Sequence, residues 1–294
     1  MPGFLFRHAA LAFALAAASS ASADTLERIR QRGVIVIAHR EASIPLSYLS
    51  QGQAVGYSVD VCLKLSEAIA KQLALKAWRI EYKPVTSSTR FEVLERGEAD
   101  MECGSTTNTA ARRERVAFTI PHFIAASRLM VLSSRSWERI EDLEGRTVAS
   151  TSGTTNIQSL AREADLKGVK LKIVPSRDHA EGVAWVQSGQ VDGFAMDDVL
   201  LYGLRASATD PSALKVIGKP MTIEPYAIAF ARGDAALKKL IDTEMRRLIA
   251  SGELQQMYRR WFTQPIPPKG INLDMRMPHL LSDSLKYPTD FVPN

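Results

Sequence analysis

The sequence predicts an α/β fold in which helices cover both faces of doubly wound sheets. Short apolar runs alternate with segments of helical spacing along most of the chain, and the run at 34–38 is apolar throughout. A continuous apolar run is typical of a parallel strand that is buried on both faces. No internal repeat with a period of about 20–50 residues is present, which excludes solenoid architectures.

The first half of the chain contains three strand-like runs separated by helical segments. The longest helical segment starts with Ser58 and Asp60 and places Val61, Leu65 and Ile69 on one face, as expected for an amphipathic helix. In chain order, the predicted elements are a strand at 34–38, a helix at 58–75, a strand at 80–85, a helix at 89–96, a strand at 100–102 and a helical basic segment at 110–115.

A second series of the same kind follows the apolar run at 128–132, which suggests a second sheet. Its predicted elements are a strand at 147–150, a Thr/Ser/Gly turn at 151–155, a helix at 156–164, a strand at 170–174, a helix at 179–188, a strand at 193–196, a strand at 226–230 and helices at 235–249 and 253–262. The proline-punctuated tail at 265–294 is predicted to be irregular and to lie on the surface.

Polar clusters follow several of the predicted strands. In open α/β sheets, ligands bind outside the carboxyl ends of the strands, and six such clusters indicate one shared cleft. The clusters are His39-Arg40, 86–88, 105–108, 152–155, Asp178-His179 and Asp197-Asp198.

The cluster at 100–108 is the most informative of these, because a strand there leads through glycine and hydroxyl residues into a helix start. Ser105, Thr107 and the following Arg112 would converge on one point with free backbone N–H groups, which suits an anion such as a carboxylate. An ordinary N-cap with a solvated arginine behind it is the alternative.

The first residues are predicted to be a cleaved export signal. Arg7 and His8 precede a short apolar run at 9–18, and Ala21-Ser22-Ala23 is a small-residue cleavage pattern. Cleavage after Ala23 would release a soluble protein into the periplasm. A retained membrane anchor is the less favoured alternative, because the apolar run is too short to span a bilayer.

Charge and motif content exclude several classes of function. The net charge is +5, and acidic residues are interspersed with basic ones, whereas a nucleic-acid-binding protein would have a concentrated basic stripe. No metal site, cofactor motif or nucleophile elbow is recognised, and none is expected. Cys62 and Cys103 are predicted to form a disulfide in an oxidising compartment, with two free buried thiols as the alternative.

Taken together, the motifs resemble those of the periplasmic solute-binding proteins of ABC importers for polar amino acids, specifically the glutamate/aspartate-binding group of family 3. The resemblance covers nearly all of the mature chain. The segments that carry it are 36–45, 102–108, 151–155, Asp178-His179, 196–198, 216–220 and 261–269.

The resemblance implies a two-lobed, type II periplasmic binding protein fold whose lobes are joined by two strands and close on the ligand by hinge motion. Lobe 1 would comprise 24–127 and 226–264, and lobe 2 would comprise 128–225.

The resemblance also implies ligand-binding roles for named residues. Arg112 would bind the ligand α-carboxylate with additional donors from Ser105, Thr107 and Thr155, and Asp197 would bind the α-ammonium. The side-chain carboxylate would be bound by Arg40, Ser87, Arg90 and His179. Ordinary structural roles are the alternatives: surface ion pairs for Arg40 and Arg90, a helix N-cap for Asp197 and a helix-start residue for His179.

The implied function is non-enzymatic capture of L-glutamate or L-aspartate and delivery to an inner-membrane ABC permease by a monomeric protein. Two alternatives share the fold: a secreted enzyme such as a dehydratase acting on carboxylated rings, and a ligand carrier for a chemoreceptor. An enzyme would need a general acid or base at the ligand, and only His179 and Asp197 are candidates.

Overall fold

The computed structural model describes residues 24–292, and the predicted export signal at 1–23 lies outside this part of the chain. In chain order, its strands are β1 (Val34–His39), β2 (Ala42–Ser43), β3 (Ser47–Ser50), β4 (Gln53–Val55), β5 (Arg79–Pro84), β6 (Met101–Glu102), β7 (Val116–Phe118), β8 (Phe123–Ala125), β9 (Ser127–Leu132), β10 (Thr147–Thr151), β11 (Lys172–Ser176), β12 (Gly193–Asp197), β13 (Leu214–Ile217), β14 (Glu224–Tyr226) and β15 (Ala229–Ala231).

The helices alternate with these strands. In chain order, they are α1 (Thr25–Arg32), α2 (Tyr57–Gln72), α3 (Arg90–Glu95), α4 (Ala110–Arg113), α5 (Asn156–Lys167), α6 (His179–Gln187), α7 (Asp198–Ser207), α8 (Ala235–Ala250), α9 (Glu253–Phe262) and α10 (His279–Lys286).

Two mixed five-stranded sheets form the framework of two lobes. The sheet of lobe 1 has the order β5-β1-β6-β15-β7, and the sheet of lobe 2 has the order β11-β10-β12-β9-β13. In each sheet the first three strands are parallel, whereas β15 and β9 run antiparallel to their neighbours. The predicted α/β class and two-lobed architecture are confirmed.

Strands β8 and β14 pair antiparallel between the two sheets, and the chain passes from one lobe to the other through them. The single strand predicted at 226–230 is wrong, because this segment contains the end of β14 and the start of β15, which belong to different sheets. Aromatic rings anchor the pair to lobe 1, since Phe123 stacks on Phe262 of α9 at a centroid distance of 5.1 Å. The lobe boundaries at 128 and 225 stay a prediction.

The predicted irregular tail needs a correction, because it contains α10. Leu281 and Leu285 of this helix are buried in the apolar core, and the helix packs against β8. Further along the tail, Asp290 forms an ion pair with Lys238 at 2.8 Å. The prolines around the helix suggested an irregular chain, whereas tertiary burial of two leucines stabilises a helix too short to persist alone.

A disulfide joins Cys62 of α2 to Cys103, at the end of β6. It connects a core helix to the loop at 104–108, which carries two of the predicted ligand-binding residues. Residues 24–292 contain no helix long and apolar enough to cross a membrane. Among the same residues, no group of three His, Cys, Asp or Glu side chains is arranged to hold a metal ion.

We expect the double substitution Cys62→Ser/Cys103→Ser to lower the free energy of unfolding by about 3–4 kcal/mol, because the crosslink closes a loop over a sequence separation of 41 residues. Urea unfolding of the variant and of the wild-type protein, with and without reductant, measures this loss. Unchanged stability, or free thiols detected by mass spectrometry on both cysteines of the exported protein, would contradict the pairing.

Candidate functional site

A small pocket, partly open to solvent, lies between the lobes. It is lined by eight of the nine residues that the sequence nominated, and the ninth, Arg40, is buried beside them. The complete lining is Ser87, Arg90, Ser105, Thr107, Arg112, Thr154, Thr155, His179, Met196, Asp197 and Leu200. The strand ends of both sheets therefore meet at one site, as the polar clusters predicted.

Two arginines of lobe 1 hold the backbone of lobe 2. The Nη2 groups of Arg90 and Arg112 donate to the carbonyl oxygen of Gly153 at 3.1 and 3.2 Å. Nη1 of Arg112 donates to the carbonyl oxygen of Thr107 at 2.9 Å. A guanidinium group has five N–H donors, so Arg112 keeps three for a ligand.

A helix cap is present immediately after the 100–108 cluster, whereas the anion site stays a prediction. Thr109 is the N-cap of α4, and its hydroxyl accepts from the backbone N–H of Arg112. The guanidinium of Arg112 points into the cleft, where burial and the neighbouring Arg90 lower its pKa from 12.5 to about 9. A solvated arginine would not have this environment.

Arg40 and His179 approach each other from opposite lobes. Nη2 of Arg40 lies 3.4 Å from Nε2 of His179, whose Nδ1 lies 2.9 Å from the hydroxyl of Thr151. Burial lowers the pKa of His179 well below 6.5, and Arg40 and Arg90 add to this effect. The imidazole is therefore neutral at pH 7. Burial also lowers the pKa of Arg40, to about 10.

Asp197 lies at the end of β12, and each oxygen of its carboxyl group accepts one hydrogen bond from the protein. It accepts from the hydroxyl of Tyr226 at 2.5 Å and from Nδ2 of Asn156 at 3.1 Å. Although Asp197 occupies the N-cap position of α7, its side chain does not cap the helix. Burial, with the nearby carboxylate of Glu224, raises its pKa to about 7.

The neighbouring Asp198 has a structural role instead. Its carboxylate accepts from the backbone N–H of Ala126, which follows the connecting strand β8, at 3.1 Å. The choice of Asp197 over Asp198 as the candidate for the ligand agrees with this arrangement.

Two of the hydroxyl groups that line the site donate hydrogen bonds to other protein side chains, and a third has no partner. Ser105 donates to the hydroxyl of Ser43 at 3.3 Å, and Thr155 donates to Oε2 of Glu224 at 2.9 Å. Because the hydroxyl of Thr155 gives its proton to Glu224, the donor that Thr155 can offer to a ligand is its backbone N–H. Oγ of Ser87 is buried and has no hydrogen-bond partner among the described residues.

Four residues that the sequence did not nominate also shape the site. Asn156, Glu224 and Tyr226 hold nominated side chains in place, and no local pattern could have revealed them, because they lie on other elements. Gly153 has a φ of +75°, and a Cβ atom on it would lie 2.7 Å from the carbonyl oxygen of Ser87. The glycine in the predicted turn at 151–155 was a signal for this close approach of the two lobes.

Comparison with protein families and with characterised proteins gives consistent matches. Residues 35–264 match the bacterial extracellular solute-binding proteins, family 3. The chain is 41% identical over 269 residues to the L-glutamate/L-aspartate-binding protein of Pseudomonas aeruginosa, covering 90% of this chain and 89% of that protein. It is 34% identical over 278 residues to the glutamate/aspartate import solute-binding protein of Escherichia coli, covering 94% and 92%.

Solved structures share the fold. An ancestral arginine-binding protein bound to arginine superposes with a TM-score of 0.67 at 27% identity, covering 79% of this chain and 99% of that one. An ancestral amino-acid-binding protein, described as a precursor of cyclohexadienyl dehydratase, superposes with a TM-score of 0.68 at 26% identity, covering 81% and 100%.

We expect Asp197→Asn to stabilise the ligand-free protein at pH 8 but not at pH 5. The pKa of Asp197 is raised from 3.8 to about 7. Between these two pH values the folded state binds more protons than the unfolded state, so the free energy of unfolding falls as the pH rises from 3.8 to 7. Asp197→Asn has no carboxyl group to ionise, so it avoids this decrease in the free energy of unfolding, which is of the order of 2 kcal/mol. Urea unfolding at both pH values measures it.

The exposed Asp165 of α5 provides the control. Asp165→Asn should change the free energy of unfolding equally at pH 5 and pH 8. An Asp197→Asn effect that is also the same at both values would mean that the carboxyl group is ionised in the free protein.

Proposed function

The chain belongs to family 3 of the bacterial extracellular solute-binding proteins, and we propose that it captures L-glutamate or L-aspartate between its lobes and delivers it to an inner-membrane ABC permease. Two buried arginines, the partly exposed Arg112 and a buried aspartate around one pocket carry this proposal. An acidic amino acid has two carboxylates and one ammonium, and burying these charges requires partners of opposite sign. The names of the relatives at 41% and 34% identity support the same ligands.

Opposite ends of the ligand would bind at opposite ends of the cavity. The free N–H groups of Arg112 and the backbone N–H of Thr155 suit the α-carboxylate, with Thr107 beside them, while Asp197 suits the α-ammonium. The hydroxyl of Ser105 donates to Ser43 and so offers the ligand an acceptor. We therefore place Ser105 at the α-ammonium and not at the α-carboxylate, where the resemblance had placed it. This assignment places the ammonium against a carboxyl group already oriented by the protein, and the ammonium charge favours its ionised form.

The side-chain carboxylate would bind where the cavity has unsatisfied donors. Nη1 of Arg40, Oγ of Ser87 and Nε of Arg90 are buried and lack hydrogen-bond partners among the described residues. Neutral His179 would orient Arg40 at this end, because Nη2 of Arg40 can only donate and Nε2 of His179 therefore accepts from it. A neutral amino acid would leave the guanidinium groups without a counter-charge, which gives selectivity for acidic ligands.

We also propose that the ligand is bound without being converted. The two groups with suitable chemistry for acid–base catalysis, His179 and Asp197, are held by hydrogen bonds to protein side chains. Recovery of unaltered ligand after prolonged incubation, checked by NMR, tests this point. Turnover of glutamate or of an arogenate-like acid would contradict it.

The ligand assignment is tested by calorimetry on Arg40→Ala and Arg90→Ala. We expect each variant to lose L-glutamate affinity by roughly 30-fold or more, because each removes charge-assisted hydrogen bonds to a buried carboxylate. The wild-type protein should bind L-glutamine at least roughly 100-fold more weakly than L-glutamate, since the amide leaves the arginines without a counter-charge.

A matched control is available on the same helix as Arg90. Arg96 caps α3 at its other end, and its side chain is 63% exposed, so Arg96→Ala should leave affinity unchanged. Equal glutamate affinity in the wild type, Arg40→Ala and Arg90→Ala would overturn the pocket assignment.

Lobe closure is tested at Gly153. We expect Gly153→Ala to lower L-glutamate affinity more than tenfold, because its Cβ would lie 2.7 Å from a backbone atom of the other lobe and would hold the lobes apart. Small-angle X-ray scattering with saturating glutamate should then give a larger radius of gyration than for the wild type.

Gly168 separates the steric effect from backbone strain. It also has a positive φ, of +67°, but a Cβ on it would meet nothing within 4 Å. Gly168→Ala should therefore retain wild-type affinity and compaction, and comparable losses in both variants would show that strain rather than lobe contact is responsible.

A further inference from the structure

Glu102 is a fully buried carboxylate at the end of β6, beneath the candidate site. Both of its oxygens lack hydrogen-bond partners among the described residues. It sits at the middle of the lobe 1 sheet, opposite Ala38 on one side and Ala229 on the other. Two small neighbours leave space around the carboxylate but offer it no side-chain donor.

Other buried carboxylates in lobe 1 are satisfied. Asp100 accepts from Arg32 at 3.0 Å and from the backbone N–H of Val36 at 2.8 Å. Asp242 accepts from Lys238 at 2.6 Å and from the backbone N–H of Ile120 at 3.1 Å. An unsatisfied buried polar group costs about 1–3 kcal/mol, and more when it is charged. Fold stability therefore does not explain Glu102.

The charged neighbours of Glu102 are the arginines of the site. Its negative charge favours the charged form of Arg40 and of Arg90, against the burial that lowers both of their pKa values. Gly104 permits this proximity, since a Cβ on it would lie 2.2 Å from Oε1 of Glu102 and 2.8 Å from Cγ of Arg40. The sequence Glu-Cys-Gly at 102–104 thus places the carboxylate of Glu102 close to the aliphatic part of the Arg40 side chain.

Counting charges at this end of the cavity gives a defined balance. Among the fully buried groups, Arg40 and Arg90 contribute two positive charges, His179 is neutral and Glu102 contributes one negative charge. Asp178 also favours the charged form of Arg40, but it is partly exposed and paired with Arg177. The remainder is one positive charge, and the unsatisfied donors Nη1 of Arg40 and Nε of Arg90 belong to the same two arginines.

For the acidic amino-acid ligand on which this inference rests, we propose that Glu102 is a specificity-determining residue. It holds this end of the pocket at one net positive charge, so that a ligand side chain with one negative charge is accepted and a side chain with two is rejected. A side chain with two negative charges is rejected because Glu102 repels it, although Glu102 does not contact the ligand. This repulsion weakens binding of the wrong ligand and adds no affinity for the right one.

The experiment compares L-glutamate with L-2-amino-4-phosphonobutanoate, in which a doubly ionised phosphonate replaces the side-chain carboxylate at about pH 8.5. Calorimetry gives the ratio of the two dissociation constants for the wild type, Glu102→Gln and Glu102→Asp. We expect Glu102→Gln to shift this ratio toward the phosphonate by at least roughly tenfold. Glu102→Asp, which keeps the charge, should stay near the wild-type ratio.

A control and a second measurement keep the test decisive. Glu92→Gln removes an exposed carboxylate of α3 that pairs with Arg96 and should leave the ratio unchanged. On the wild-type protein alone, preference for glutamate over the phosphonate should increase from pH 6 to pH 8.5, as the phosphonate gains its second charge, so the test does not depend on folding of a variant.

Each outcome has a distinct meaning. Equal changes in both affinities for Glu102→Gln, equal shifts of the ratio in Glu102→Gln and Glu102→Asp, or a wild-type preference for the doubly charged analogue would overturn the role of Glu102 alone. Failure of the wild-type protein to bind glutamate or aspartate would overturn the proposed function and this role with it.

Discussion

The placement of three guanidinium groups between two lobes, two of them buried and that of Arg112 partly exposed, is the constraint on which the rest of the site depends. Burial lowers the pKa values of Arg40, Arg90 and Arg112, which shows that their charges are unfavourable in this environment. The ligand-free cleft therefore contains positive charge that nearby carboxylates do not fully neutralise. Three carboxyl groups are buried nearby, Glu102, Asp197 and Glu224, and because the pKa of Asp197 is raised to about 7, this group compensates only in part at pH 7. Such an arrangement is poorly suited to stability and well suited to a ligand that supplies the missing counter-charges.

Closure of the lobes is tied to the same groups. Arg90 and Arg112 of lobe 1 donate to the carbonyl oxygen of Gly153 in lobe 2, and Tyr226 of the connecting strand β14 donates to Asp197. The residues that would bind the ligand therefore also join the lobes. A ligand that engages them adds its binding energy to contacts that exist only in the closed state, which is the requirement for shifting a conformational equilibrium.

A disulfide, an aromatic stack and a helix hold the elements that carry the site in place. The disulfide fixes the loop at 104–108 to α2, and the stack of Phe123 on Phe262 holds β8 against lobe 1. Helix α10 packs against the same strand, so the C-terminal tail adds to the connection between the lobes. Site residues are thus held by packed helices and strands, and the two lobes are connected by the paired strands β8 and β14.

Apolar periodicity and polar strand ends, which are local patterns, predicted the α/β class, most helix bounds and a shared cleft. The two-lobed architecture and the candidate ligand-binding residues were implied by the resemblance of the sequence motifs to family 3. The sequence by itself could not reveal α10, whose leucines need a tertiary surface, nor the separation of β14 from β15. Only the tertiary structure decided that Arg40 and Arg90 are buried rather than in surface ion pairs, that Asp197 faces Tyr226 instead of capping α7, and that Glu102 lies unsatisfied beneath the arginines. These outcomes depend on which residues from distant segments share a low-dielectric space, and charge compensation there is a property of the assembled cleft rather than of any segment of the chain.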